Sequence, residues 1–137
     1  MKYLLDSNVC VDYLTRRFPQ VGRRIQNLIP EDLCLSSIVV AELRYGADKS
    51  AKVRRNHELL NVLTGEIPYR DFDIAAAALY GKLRASLEKK GKPIGPNDML
   101  IAAHALSLGL VLVTDNVSEF ARVEGLKLEN WRDAVEE

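Results

Sequence analysis

Short apolar runs, each too brief to make a helix, recur along this chain and alternate with stretches of helical spacing. Leu4 with Leu5, Leu33 to Leu35, and the segments 67–69, 110–113 and 126–128 read as strands. Between them the spacing predicts helices. One begins at a cap on Ser7 or Asn8 and runs toward Pro19. Others cover 21–28, 37–46, 50–63, 73–90 and 97–108, and a short one carries Phe120. A strand, a helix and another strand in succession need a crossover, so the sheet is expected to be parallel with helices on both faces. The fold class is therefore α/β, a three-layer α/β/α arrangement around four to five parallel strands. At 137 residues, with no repeat, linker or low-complexity tract, the chain reads as a single domain over 1–137.

Four acids sit against this apolar framework. Asp6 closes the run Tyr3-Leu4-Leu5, and Glu42 is embedded in 38–43. Asp98 opens the apolar stretch 99–103, and Asp115 follows 110–114. Carboxylates in such surroundings are expected to be partly desolvated, which is costly without a partner. In an open parallel sheet, sites form beyond the carboxyl ends of the strands. Asp6 and Asp115 each follow a strand, and Asp98 starts a helix after the loop 95–97. Glu42 shares a helical stripe with Ile38, Ala41 and Tyr45, so it is expected to face the same way as apolar neighbours. Taken singly, Asp6 and Asp98 also read as helix caps, and Glu42 as a partner for Arg44 or Arg84. Taken together they suggest a shared cation. Neither His nor Cys occurs at these four points, which favours Mg²⁺, with Mn²⁺ as a substitute, over zinc. Such a site suits hydrolysis of a phosphodiester by metal-activated water.

Lys plus Arg equals Asp plus Glu at 19 each, so no global basic field announces a nucleic-acid partner. Local patches must then do the binding. Arg16 and Arg17 lie just beyond the helix that Asp6 introduces, and Lys89, Lys90 and Lys92 lead into Asp98; these are the candidates for phosphate contacts. His104 shares a stripe with Ile101, Ala105 and Leu108 and reads as a core residue, as do Cys10 and Cys34. His57 reads as exposed. The longest apolar run, Ile74 to Tyr80, is far short of a membrane span, and no signal-peptide pattern opens the chain. A cytoplasmic protein is expected.

The segments 4–14 (LLDSNVCVDYL), 36–47 (SSIVVAELRYGA), 94–102 (IGPNDMLIA) and 113–123 (VTDNVSEFARV), followed by Gly125-Leu126 and Asn130-Trp131, together resemble PIN-domain ribonucleases of the VapC toxin family. The motifs fall in family order over nearly the whole chain. The resemblance implies a PIN-like domain and an endoribonuclease acting on structured RNA, with tRNA the expected substrate. It implies that Asp6, Glu42 and Asp98 hold Mg²⁺. It also implies a VapB-type antitoxin partner, a homodimeric toxin and a larger toxin–antitoxin assembly. One departure matters: many PIN domains place a fourth acid where this chain has Asn116. Asp115 and Glu119 are competing candidates for that role. Thr114 and Ser7 are candidates to support the ligating carboxylates, with capping an equal reading for Ser7.

Two other readings fit the same residues. A phospho-accepting receiver domain also gathers acids at strand ends, but wants adjacent acids after its first strand and a lysine after its last. A PIN-like module that only binds RNA is the other, suggested by Asn116.

Overall fold

The computed structural model describes residues 1–133. Five short strands, β1 (Tyr3–Leu5), β2 (Leu33–Ser36), β3 (Tyr69–Arg70), β4 (Val111–Val113) and β5 (Leu128–Glu129), form one sheet in the order β3-β2-β1-β4-β5. Every pairing is parallel, with Tyr3 opposite Leu33 on one side and Val111 on the other. Seven helices connect them: α1 (Ser7–Thr15), α2 (Pro19–Gln26), α3 (Ser37–Asp48), α4 (Val53–Glu66), α5 (Ile74–Lys89), α6 (Pro96–Leu108) and α7 (Val117–Phe120). Leu4, Leu5, Leu35, Leu112 and Val113 are all fully buried. Both sheet faces are therefore covered, as the uninterrupted apolar strands require. The architecture is the three-layer α/β/α fold expected.

The order of the strands places the site. The chain builds outward from β1 through β2 to β3, then returns to the other side of β1 for β4 and β5. The direction of winding thus reverses between β1 and β4, and a crevice opens past their carboxyl ends. Asp6 and Thr114 are the first residues beyond those two strands.

Several boundaries differ from the expected ones for local reasons. Asp6, rather than Ser7 or Asn8, caps α1: its Oδ1 accepts the Ser7 N–H at 2.8 Å. The helix stops at Thr15, short of Pro19, because Arg16 takes a left-handed conformation with φ of 58°. Helix α4 starts at Val53 because Ser50 is engaged in the turn, its Oγ donating to the Ala47 carbonyl and accepting from Asn56. Strand β3 begins only at Tyr69, since Pro68 has no N–H to give the ladder; its carbonyl still accepts from the Leu35 N–H at 2.9 Å.

Candidate active site

Each acid reaches the crevice by a different route. Asp6 is fixed at the end of the central strand and is 6% exposed. Its Oδ2 accepts from the buried Thr114 hydroxyl at 2.8 Å, which ties the ends of β1 and β4 together. Glu42 projects from α3, whose N-terminus is set by Ser36: the Ser36 Oγ accepts the Ile38 N–H at 3.1 Å and lies 2.8 Å from Nδ1 of buried His104. Asp98 stands in the first turn of α6. Glu119 comes from the one-turn helix α7, where its Oε1 accepts the Gly95 N–H at 3.0 Å and its Oε2 accepts from Asn116 at 2.5 Å.

Neutral donors hold these carboxylates toward one another. Glu42 accepts from the Ser7 hydroxyl at 2.5 Å and from Asn97 Nδ2 at 3.1 Å. The Asp98 and Glu119 carboxyls are placed to share a hydrogen bond when one of them is protonated. Burial, that hydrogen bond and the negative charges of Asp6, Glu119 and Glu42 push the Asp98 carboxyl up to about 7. Glu119 is held below its ordinary value, by the Asp98 hydrogen bond first and by the Gly95 N–H. Asp6 is raised, chiefly by burial and partly by the charges of Glu42 and Asp115, against the lowering effect of Thr114 and Ser7.

Asp6, Glu42, Asp98 and Glu119 thus share one electrostatic neighbourhood in which protons relieve like charge. An all-oxygen donor set of this kind fits a hard divalent cation, which would take the place of those protons. Among the described residues no three His, Cys, Asp or Glu side chains are already drawn together closely enough to enclose an ion. The ligands would have to swing inward to hold one.

Asp115 is differently placed. One of its oxygens accepts from Asn8 Nδ2 at 3.1 Å and the other from Arg132 Nη1 at 3.0 Å. The Arg132 guanidinium also grips Asp12 through Nε and Nη2, at 2.6 and 2.9 Å, and lies 4.3 Å from the centre of the Phe18 ring.

Other expectations need correction. Of the residues that share a stripe with Glu42, only Ile38 packs against the core; Ala41 and Tyr45 are exposed, Tyr45 at 65%, and α3 packs inward through Val39, Leu43 and Ala47. Glu42 stands at the border of that face and points along the crevice. Arg44 is engaged by His57 and Asn61, and Arg84 by Glu88 and Tyr80, so neither partners Glu42. His57 is half-buried, bridging Asp48 and Arg44. Arg16, Arg17, Lys89 and Lys92 are exposed, while Lys90 lies 3.5 Å from Glu124. Sequence reading missed Asp12, Arg132 and the donor roles of Asn8 and Asn97. Asp12 carried a usable signal, since it falls three residues after buried Val9 on α1. Loss of the Ser36 cap has a defined cost: Ser36→Ala is expected to lower stability by about 1 kcal/mol in urea denaturation. An unchanged midpoint would show that Ser36 does not anchor α3.

The fold and the acidic crevice are those of a PIN-type nuclease. The PIN domain family model matches residues 3–126. The tRNA(fMet)-specific endonuclease VapC of Shigella flexneri is 41% identical over 131 residues, 96% of this chain and 98% of that protein. Ribonuclease VapC2 of Haemophilus influenzae is 43% identical with the same coverage. The DNA-bound VapBC structure from Salmonella typhimurium superposes with a TM-score of 0.90 at 40% identity, covering 96% of this chain and 98% of that one. The chain belongs to the VapC ribonucleases of the PIN-domain family. Nucleases of this class are generally metal-dependent.

Proposed function

We propose that this chain is the endoribonuclease toxin of a toxin–antitoxin pair, working as one catalytic domain in the cytoplasm and cutting structured RNA, tRNA foremost, with Mg²⁺ or Mn²⁺ as cofactor. The observation that carries this reading is that Asp6, Glu42, Asp98 and Glu119 lie around the crevice beyond β1 and β4 and feel one another's charge. A divalent cation held there supplies an activated water and stabilises charge on phosphoryl oxygens. Asp6, Glu42 and Asp98 would hold the cation. Glu119 completes the set better than Asp115, because it lies against Asp98 and accepts from the neutral Gly95 N–H and Asn116, whereas Asp115 is already charge-paired with Arg132. Thr114, Ser7, Asn97 and Asn116 orient the carboxylates by donating to them. The exposed Arg16, Arg17, Lys89 and Lys92 would steer phosphates toward the crevice, and no side-chain nucleophile is required.

A groove of about 370 Å³ runs from Ser7, Asn8 and Glu42 over the apolar Val11, Leu14, Leu43 and Leu59. An antitoxin segment laid in it would reach the acids directly, which supports a VapB-type partner. The exposed Tyr45, Tyr69 and Ile74 support a homodimer. Among the described residues no helix is long and apolar enough to cross a membrane. The discriminating experiment incubates the protein with a tRNA transcript in Mg²⁺, in Mn²⁺ and in excess EDTA. Cleavage is expected only with the cation and should leave 3′-hydroxyl and 5′-phosphate ends. Full cleavage in EDTA sinks the metal reading, and no cleavage with either cation favours a module that binds RNA without cutting it. Glu119→Gln is expected to lose more activity than Asp115→Asn in the same assay.

A further inference from the structure

We infer that Arg132 is a positioning residue that holds Asp115 out of the cation crevice, so that four carboxylates rather than five confront the ion. The inference rests on the cation-holding reading above and concerns what limits that site. Asp12 is 1% exposed and receives two guanidinium hydrogen bonds, so Arg132 is anchored from the interior side. Phe18 packs against the guanidinium, and the Arg132 carbonyl accepts from Gln20 Nε2 at 2.8 Å. The remaining donor, Nη1, reaches Asp115. Asn8 takes the other oxygen of Asp115. Asp115 is nonetheless close enough to Asp6 for its charge to be felt there. A carboxylate this near the crevice, with no built-in alternative partner, would turn toward a divalent ion. The fork geometry of arginine is what prevents it, because one planar group satisfies Asp12 with two donors and still spares a third.

The test is Mn²⁺ affinity read from the electron paramagnetic resonance signal of the free ion, with thermal melting to check folding. Asp12→Asn with Arg132→Gln removes one negative and one positive charge together, leaving the net charge unchanged and a neutral hydrogen-bonded pair in the interior. With Asp115 present, this double variant is expected to bind Mn²⁺ about fivefold more tightly or better, since affinity for hard cations follows ligand charge count. With Asp115→Asn added to both proteins, the same two changes should alter affinity less than about twofold. Arg132→Lys keeps the charge beside Asp12 but offers no fork, and serves if the double variant melts early. It should give a smaller tightening that again requires Asp115. Equal tightening with and without Asp115, or none at all, overturns the inference. Asp98→Asn is the control for the underlying site: if it leaves Mn²⁺ affinity untouched, the cation reading itself fails. If it weakens binding while the Arg132 changes do nothing, only the role of Arg132 falls.

Discussion

Asp98→Asn will lower RNA cleavage by about 10³-fold or more, the scale lost when a group acting at the reacting centre is removed. At the same time it will make the metal-free protein more stable at pH 8. The two effects have one cause. Burial and three neighbouring carboxylates hold the Asp98 carboxyl at about 7, against an ordinary value of 3.8. Between those values the folded chain binds a proton that the unfolded chain does not. The stability this contributes is fully present below 3.8 and is lost as the pH rises through about 7. At pH 8 the wild-type carboxylate is ionised among like charges, whereas asparagine copies the neutral form and can still donate to Glu119. Asp98 is only half-buried, and solvent screens much of the repulsion. The gain at pH 8 should therefore be about 1–2 kcal/mol, several degrees in melting temperature. It should shrink steadily as the pH falls from 8 to 4. Millimolar Mg²⁺ should reverse the order, raising the wild-type melting temperature while leaving the variant near its metal-free value. Identical melting of the two proteins at pH 8 without metal would show that Asp98 is not under the strain of neighbouring charge.

Arg132→Ala will destabilise the fold by about 3–5 kcal/mol, the cost of stripping the partner from a buried ion. Asp12 is 1% exposed and both of its oxygens accept from the guanidinium, so removal of Arg132 leaves a carboxylate in the interior with no compensating charge. The variant also forfeits the Phe18 contact, and the tie between α1 and the segment around buried Trp131. Asp12→Asn in the Arg132→Ala background should recover a large share of the loss, because the charge rather than the shape is what the interior rejects. Arg132→Lys should recover less than the arginine supplies, since a single ammonium cannot reproduce the planar fork. Urea denaturation of the three variants measures this. A loss below about 1 kcal/mol for Arg132→Ala would place the pair among surface ion pairs of little weight.

How much of this was legible beforehand depended on whether a feature is local. The strands around Leu4, Cys34 and Leu112 announce themselves because a strand buried on both faces must be apolar throughout. Asp6 and Asp98 stand out locally, Asp6 closing the apolar run Tyr3-Leu4-Leu5 and Asp98 opening the apolar stretch 99–103. Glu42 is less legible: the stripe it shares with Ile38, Ala41 and Tyr45 turns largely outward, the inward face runs through Val39, Leu43 and Ala47, and Ser7 and Asn97 hold its carboxylate at the crevice. Asp12 shares the inward face of α1 with Val9, but a lone acid there does not reveal a partner 120 residues away.

The alternation of short apolar runs with helices, and the acids at their ends, were enough on their own to specify a parallel α/β sheet with a carboxylate crevice. Backbone geometry enforces both within a few residues. The partners that separate Asp115 from Glu119 exist only in the folded chain. Asn8 and Asp115 are 107 residues apart, and Arg132 and Asp12 are 120 apart. Contacts at that separation depend on how α1, the β4–α7 loop and the final turn pack around one edge of the sheet, and no local pattern encodes the distance between them.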